Sequence, residues 1–347
     1  MRSFRRIFST IALFSLVVPV GYAAELPLFG LRDVLDITFE VPMDTIVRDA
    51  DERPEVIGVM RYTGDDGQMV TLPLTMTTRG KSRLEYCRFP PLTVILKRKQ
   101  VKGTLFAGQK KLKFVTQCRN GSTFERYLHQ EFGIYRAFNV LSEHSFRVRM
   151  LRATYLDTDG KRKDEVQPGF FIESDNEVAA RLGMEKLKVS RINSAQLDPA
   201  HASKYSLFQY LIANTDWSMI KGPGNESCCH NGKVIIRPGA QDGWMVLPYD
   251  FDQAGLINTR YSMPADGLGI RTVRQRLFRG RCRNIIQLPD TIAVFNEQRA
   301  AIEAELLPAA LEGSSRKAAV GYIDDFYKII NDAQQRRKKI EDKCIGS

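Results

Sequence analysis

Two aspartates end an apolar run near residue 250. Residues 243–255 read Gly-Trp-Met-Val-Leu-Pro-Tyr-Asp-Phe-Asp-Gln-Ala-Gly, and Asp250 and Asp252 flank a single phenylalanine. In an extended chain, residues two apart point to the same side, so both carboxylates can converge at the mouth of a sheet. Two close carboxylates repel one another unless a cation lies between them. The pair therefore predicts a cation site, although Asp-x-Asp also occurs in ordinary surface turns.

A third aspartate and an asparagine precede this pair. Asp216 follows a predicted helix, and Asn231 lies between Asp216 and the aspartate pair. Phosphoryl transfer needs one aspartate to orient or deprotonate the acceptor hydroxyl, and an asparagine and an aspartate to hold magnesium against the phosphates. The order of these residues predicts Asp216 as the catalytic carboxylate, and the aspartate pair with Asn231 as magnesium ligands. Asn214 and Asn225 remain alternatives to Asn231.

A basic stretch and a glutamate on an apolar helix face lie further upstream. Eleven lysines and arginines and a single acidic residue occur between Arg79 and Lys113, which is typical either of a solvated face or of an anion-binding surface. The helix predicted next places Glu131 on its apolar stripe. A buried carboxylate needs a cationic or hydrogen-bonding partner. Lys97, at the end of a predicted strand, is the first candidate for an inward-facing lysine, and Lys113 is the second.

The elements that must position these residues divide the chain into two parts. Apolar and β-branched patterns predict strands in the first part, and three-and-four apolar spacing predicts helices mainly in the second. We therefore expect a β-rich lobe with one helix over residues 24–175 and a mainly helical lobe with the acidic site over 176–347. The predicted strands are 34–40, 56–62, 69–77, 92–97, 146–155 and 169–173, and the predicted helices are 122–141, 177–182, 203–214, 291–311 and 316–342.

The N-terminus carries the pattern of a secretory signal. Three arginines precede an apolar stretch that ends in Gly-Tyr-Ala, so residues 1–23 are predicted to be a signal peptide that is cleaved after Ala23. No later segment is long and apolar enough to predict a membrane span. The formal net charge is +11, and subtracting the three arginines of the signal gives +8. We expect a periplasmic or secreted protein with acidic partners and no nucleic-acid ligand.

Six cysteines follow the predicted signal, and an even number in an exported protein indicates disulfides. We expect Cys87 to pair with Cys118, since these two bracket the basic strands. Cys282 is expected to pair with Cys228 or Cys229, and the remaining member of that vicinal pair with Cys344. A metal site at Cys228-Cys229-His230 is the alternative, but no Cys-x-x-Cys spacing accompanies it.

Several short motifs, in their order along the chain, resemble the spore-coat CotH kinases, a family of atypical secretory protein kinases. The motifs are Arg79-Gly80-Lys81-Ser82, the predicted strand 92–97, the helix around Glu131, Phe170-Phe171-Ile172-Glu173, Asn214-Thr215-Asp216 and Tyr249-Asp250-Phe251-Asp252. The resemblance covers roughly residues 34–255 and implies a two-lobed kinase-like α+β fold. It also implies a nucleotide-positioning ion pair between Lys97 and Glu131.

Kinase chemistry implies magnesium and ATP as cofactors, and a protein or envelope component as acceptor. The chain has no Gly-x-Gly-x-x-Gly loop, no Walker sequence and no His-Arg-Asp triplet, so nucleotide binding would depend on Arg79 and Lys81. The alternative is a catalytically silent binding module of the same fold that uses its basic face on an anionic envelope polymer or a protein partner.

Overall fold

A computed structural model describes residues 27–346. The predicted signal peptide and its cleavage after Ala23 lie outside the described residues. The first seven strands, β1 to β7, are Leu35–Val41, Val56–Thr63, Met69–Thr78, Leu92–Ile95, Lys111–Thr116, Val148–Asp157 and Glu165–Ile172. Three further strands, β8 to β10, are Glu185–Leu187, Gly232–Ile236 and Met245–Pro248. The helices α1 to α10 are Pro27–Gly30, Met43–Arg48, Ser82–Tyr86, Ser122–Leu141, Asp175–Arg181, Pro199–Leu211, Leu288–Glu297, Arg299–Leu306, Gly313–Asn331 and Ala333–Lys339.

The strands β1 to β7 form a closed barrel in the order β1-β2-β3-β4-β5-β7-β6. Six of the seven pairings are antiparallel, and β1 and β6 run parallel, with Leu35 opposite Leu151 and Val41 opposite Asp157. Closure leaves no strand edge of this sheet open to pairing with another chain. Alternate side chains point inward, and the aromatic rings of Phe39, Phe114 and Tyr155 pack within 5.3–6.4 Å of one another.

The expected two-lobed kinase-like α+β fold is wrong. The strands of the first half do not form an open lobe sheet, because the parallel pairing of β1 with β6 closes them into a barrel. Alternation of apolar residues indicates which face of a strand is buried, but it does not indicate which strand lies beside it. The division between residues 175 and 176 stays a prediction; β7 ends at Ile172 and α5 begins at Asp175.

The second half contains α5 to α10 and a three-stranded sheet in the order β10-β9-β8. The predicted helices 291–311 and 316–342 are each divided into two shorter helices. Gln298 separates α7 from α8, and Asp332 separates α9 from α10 and accepts a hydrogen bond from the Gln335 N–H at 2.7 Å as the N-cap of α10. None of the helices in residues 27–346 is long and apolar enough to cross a membrane.

Helix α4, which the sequence predicts with these same bounds, connects the barrel to the helices of the second half. It contacts β6 and β7 on one side and α8 on the other. A glycine permits the close approach to α8, since a Cβ at Gly133 would lie 2.3 Å from the Glu305 carbonyl oxygen. The Tyr135 ring lies 4.7 Å from the Phe251 ring, so this helix also supports the segment that carries the aspartate pair.

All six cysteines form disulfides. The predicted bridge Cys87–Cys118 is confirmed. The other two predicted pairings are wrong, because Cys282 pairs with Cys344 and the vicinal cysteines 228 and 229 pair with each other. A β-bridge between Arg281 and Ile345 places residues 282 and 344 side by side, with their Cα atoms 4.9 Å apart.

Candidate functional site

The aspartate pair lies directly after β10, where this strand pairs with β9. The Tyr249 N–H donates to the Asn231 carbonyl oxygen at 3.1 Å, so strand pairing holds Asn231 beside the start of the acidic segment. Asp250 has a left-handed backbone, with φ +63°, and its N–H donates to the Tyr135 hydroxyl at 3.0 Å. This conformation is uncommon for residues with a side chain, and aspartate is one of the few that tolerate it.

Asp252 is almost fully buried, at 5% exposure, whereas Asp250 is partly exposed. Burial and the neighbouring charge of Asp250 hold the pKa of the Asp252 carboxyl well above its usual range. The sequence predicts an extended chain at Asp250 and Asp252. The left-handed turn at Asp250 shows that the chain is not extended there. Both carboxyl groups nevertheless line one cleft, together with Glu131. A cation in this cleft would relieve the repulsion between them.

Both carboxylate oxygens of Asp216 are held by neighbours from the start of β9. The His230 Nε2 lies 2.5 Å from Asp216 Oδ1, and the Asn231 side-chain amide donates to Asp216 Oδ2 at 2.9 Å. The hydrogen bond to Asp216 raises the pKa of His230, against the opposing effect of burial. The side chains of Asp216 and His230 are 35% and 30% exposed, so this pair is accessible to an acceptor molecule.

The three candidate asparagines have different surroundings. The Asn231 side-chain nitrogen also donates to the Asp216 backbone carbonyl at 2.7 Å, so both amide hydrogens are used and the carbonyl oxygen faces away from Asp216. Asn214 is 1% exposed, and its side-chain oxygen accepts from the Asp216 N–H at 3.0 Å. Asn225 lies in an exposed loop. Asn231 is therefore the candidate whose side-chain oxygen is free of Asp216 and whose backbone pairs with Tyr249, the residue before Asp250.

Glu131 is 4% exposed, and its partner is Arg83, whose Nη1 donates to Glu131 Oε2 at 3.2 Å. Burial raises the pKa of Glu131 to about 7, while the charge of Arg83 acts in the opposite direction. The predicted pairing of Lys97 with Glu131 is wrong, since Lys97 is exposed and lies after β4, which ends at Ile95. The expectation of a buried, paired glutamate is confirmed, but its cation comes from α3.

Arg79 and Lys81 have different positions relative to the cleft. Arg79 lines it, and its Nη1 donates to the Tyr249 hydroxyl at 3.2 Å. The Lys81 side chain is 83% exposed, and its Nζ lies 2.8 Å from Glu226 in the loop before the vicinal disulfide. Exposed ion pairs of this kind contribute little to stability. The structure therefore places Arg79 where it can contact a ligand beside Asp250, and Lys81 at the rim.

Lys113, the second candidate for the inward lysine, lies on β5 between two cavities. Its Nζ is 4.0 Å from the centre of the Tyr249 ring, which lines the cleft beside Asp250. Burial, and then the charge of Arg79, lower the pKa of Lys113 to about 8. The cavity beside Asp250 has a volume of about 50 Å³. A neighbouring cavity of about 500 Å³, lined by Lys113 and by the first residues of α5, has the size of an ordinary small-molecule site.

Asp250, Asp252 and Glu131 bring carboxylate oxygens to the cleft, which are the donors that Mg²⁺ prefers. Arg79, Lys81 and Arg83 also line it, and the charge of Arg83 already offsets part of the carboxylate repulsion. No group of three or more histidine, cysteine, aspartate or glutamate side chains within residues 27–346 could hold a metal ion by itself. The raised pKa of Asp252 and the unpartnered side of the Asn231 amide are the observations that fit a cation here. Asp250, Asp252 and Asn231 are thus the residues that would hold it.

Sequence reasoning missed two contributors to this site. His230 was expected only as a member of the alternative metal site at Cys228-Cys229-His230, but it contacts Asp216. Arg83 was counted only as one member of the basic stretch, but it forms the buried ion pair. Its position as the second residue of α3, four residues before Cys87, gave no signal for this pairing. Proximity of His230 to Asn231 in the sequence was the available signal for the histidine.

No protein-family model matches the chain, and the comparison with curated proteins finds no significant match.

Proposed function

We propose that the protein is a magnesium- and nucleotide-dependent phosphotransferase that acts on the hydroxyl group of a protein or envelope component. The observation that carries the proposal is the side-chain amide of Asn231, which donates both hydrogens to Asp216 and lies one strand pairing away from Asp250. Asn231 thus connects Asp216, which would orient the acceptor, with Asp250, which would bind the cation.

On the acceptor side, Asp216 orients the hydroxyl and takes its proton as the phosphoryl group is transferred. His230, at 2.5 Å from Asp216, fixes the direction of the carboxylate and stabilises its charge between turnovers. Arg279 donates to the backbone carbonyl of Trp217 at 2.8 Å, and to that of Thr215. These contacts fix the backbone on both sides of Asp216, which is the preorganisation that catalysis requires.

On the donor side, Asp250, Asp252 and Asn231 would hold magnesium, which neutralises charge on the nucleotide phosphates. Arg79 and Lys113 contact opposite sides of Tyr249, the hydroxyl and the ring respectively. Two cations at this position attract a polyanionic ligand. The 500 Å³ cavity beyond Lys113 has room for the remainder of the nucleotide.

A silent binding module is the second candidate, and the small cleft beside Asp250 favours it. At about 50 Å³, this cleft has room for one phosphate group and must open before it accepts more of a triphosphate. The chain between β4 and β5 supplies an alternative surface for a polyanion, because it carries exposed basic residues at positions 97, 98, 99, 102 and 110. Such a module would bind its partner without magnesium or nucleotide.

Titration calorimetry with magnesium and ATP separates the two candidates. Wild type should bind magnesium-ATP, Asp250→Asn should lose most of this affinity, and the exposed control Asp242→Asn should match wild type. Asp216→Asn should keep nucleotide binding and lower the rate of ADP release about 10²–10⁴-fold, because it removes the group that accepts the hydroxyl proton. Identical null traces for wild type and Asp250→Asn would reject phosphotransfer and leave the binding module.

The signal-peptide pattern further suggests that this activity is exported. Three disulfides within residues 27–346 are compatible with an exported protein. Fractionation of cells that express the full chain tests this, because an exported protein will start near residue 24 and a cytoplasmic one will retain its N-terminus.

A further inference from the structure

A small arginine-lined pocket adjoins Asp216. Its walls include Trp217, Ser218, Arg279 and Arg281, and its volume is about 40 Å³. Arg279 donates through Nη1 to the backbone carbonyls on either side of Asp216, so this pocket and the Asp216 carboxylate belong to one rigid segment. The Ser218 N–H donates to the His230 carbonyl at 3.0 Å, which ties the opposite wall to the same site.

Two arginines, Arg279 and Arg281, line the pocket, and a third, Arg191, lies at its edge. Among residues 27–346, no carboxylate forms an ion pair with Arg191, Arg279 or Arg281. The Nε of Arg279 is enclosed and has no hydrogen-bond partner in this part of the chain. Burial, and then the like charge of Arg191, lower the pKa of Arg281. Guanidinium groups stay protonated even so, and a nearby anion would stabilise them.

The pocket contains side-chain hydrogen-bond donors that an oxyanion could use, from Ser218, Arg279 and Arg281. Ser218 Oγ accepts from the N–H groups of Ile220 and Lys221 at 3.2 and 3.3 Å, which leaves its own hydroxyl hydrogen available to donate. Arginine side chains bind carboxylate and phosphate through paired N–H groups. A volume of about 40 Å³ accepts one such group and excludes a sugar or aromatic ring.

We propose that this pocket binds a phosphate monoester carried by the same molecule whose hydroxyl group Asp216 orients. The assignment of that molecule as the acceptor rests on the proposed phosphotransfer, whereas anion binding does not. Asp216 offsets part of the charge of Arg279. Arg281 lines the pocket, and Arg191 lies just outside it, where the neighbouring Ile192 N–H donates to the carbonyl of the lining residue Ile220 at 2.9 Å. Two charges match a dianionic phosphate better than a single carboxylate. The acceptor is therefore already phosphorylated near the hydroxyl that receives the next phosphoryl group.

Calorimetric titration with O-phosphoserine, without magnesium or nucleotide, tests the pocket. Wild type should show saturable binding. Arg281→Gln should weaken it about tenfold, because it removes a charge-assisted contact, and Arg191→Gln should weaken it by a smaller factor, because it removes a charge from the edge of the pocket. Arg283→Gln, which changes an exposed arginine two residues along the chain, should bind within twofold of wild type. Arg191 is exposed, so its variant should fold even if replacement of the half-buried Arg281 does not.

Two outcomes would overturn the inference. The first is phosphoserine binding that is absent in wild type or unchanged in both Arg191→Gln and Arg281→Gln. The second is equally tight binding of acetate, which would assign the pocket to a carboxylate. Arginine-dependent phosphoserine binding without any magnesium-ATP binding would support the pocket and reject the phosphotransferase. Magnesium-ATP binding without arginine-dependent phosphoserine binding would reject the pocket alone.

Discussion

Side chains of the candidate site are fixed by contacts with residues that are distant in sequence. Glu131 is held by Arg83, and Asp216 is held by His230 and Asn231. A buried carboxyl group keeps its charge at a cost unless a cation or hydrogen-bond donor lies beside it. A substitution of one member of such a pair leaves the other member without its partner. Stability measurements can detect this loss.

Removal of the Glu131 carboxyl group should destabilise the protein. Glu131→Ala leaves the Arg83 charge, whose side chain is 12% exposed, without its partner, and should lower the free energy of unfolding by about 3–5 kcal/mol. Glu131→Gln should lower it less, because the amide oxygen still accepts from Arg83. Chemical denaturation measures both. Glu125→Ala, at a more exposed position of the same helix, serves as control and should change the value by under about 0.5 kcal/mol.

Burial of His201 should make stability depend on pH. Burial lowers the pKa of His201 to about 4, and its Nε2 lies 2.8 Å from the Val246 carbonyl oxygen. The unfolded chain has a histidine pKa near 6.5 and therefore binds the proton first as pH falls. Stability should be complete above about pH 6.5 and decrease by about 3 kcal/mol between there and pH 4. Urea unfolding of wild type and His201→Gln across this range checks it, and parallel pH profiles would contradict it.

At the scale of the element, helices and strands form largely where local periodicity predicts them, and their ends are set by contacts. The sequence predicts α4 at its observed bounds, whereas the predicted helix 291–311 is interrupted at Gln298. Strand β5 was missed because its alternating residues Lys111–Thr116 were interpreted as part of a basic cluster. The cluster is real, but inward-facing Leu112 and Phe114 are fully buried, which is the period-two pattern of a strand.

Two helical glycines should respond in opposite directions to alanine. Gly133→Ala would place Cβ 2.3 Å from a backbone oxygen of Glu305, and such overpacking typically costs about 1–3 kcal/mol. Gly321→Ala, in α9, meets nothing within 4 Å and should gain about 0.5–1 kcal/mol from helix propensity. Both substitutions carry the same propensity gain, so the difference in free energy of unfolding measures the contact between α4 and α8. Equal effects would show that the two helices separate without penalty.

At the scale of the whole molecule, the barrel and the second half meet at the candidate site. Arg79 and Arg83 come from the segment after β3, Glu131 from α4 and the aspartate pair from the end of β10. The cleft therefore requires both halves of the chain to be folded. Disulfides restrict this arrangement at three places, and Cys282–Cys344 closes the longest loop, with a sequence separation of 62.

Loss of the Cys282–Cys344 bridge should destabilise the protein by about 4 kcal/mol, because the bridge restricts the unfolded chain over a long loop. Chemical denaturation of Cys282→Ser/Cys344→Ser under non-reducing conditions measures this. Peptide mapping without reduction should recover the fragment with Cys282 joined to the fragment with Cys344. A fragment that links Cys282 to either vicinal cysteine would contradict the observed connectivity.

The sequence by itself determined the local features of this protein. Period-two and three-and-four patterns predict most strands and helices, since the alternation of side-chain direction is a property of the backbone. The spacing of Asp250 and Asp252 and the position of Glu131 on an apolar stripe likewise predict acidic groups directed into the protein. Cys87 and Cys118 bracket one compact segment, so their pairing was also predictable.

Only the tertiary structure decided which distant groups meet. The parallel pairing of β1 with β6 closes the barrel, and it joins strands that start more than a hundred residues apart. Arg83 rather than Lys97 reaches Glu131, and Cys282 pairs with Cys344, for the same reason. The local sequence sets the direction of a side chain. Its partner depends on which distant segments come together, and the entropic cost of closing the loop between them rises only slowly with loop length. Several alternative partners therefore have similar costs of loop closure, and the packing of the complete chain decides which of them is used.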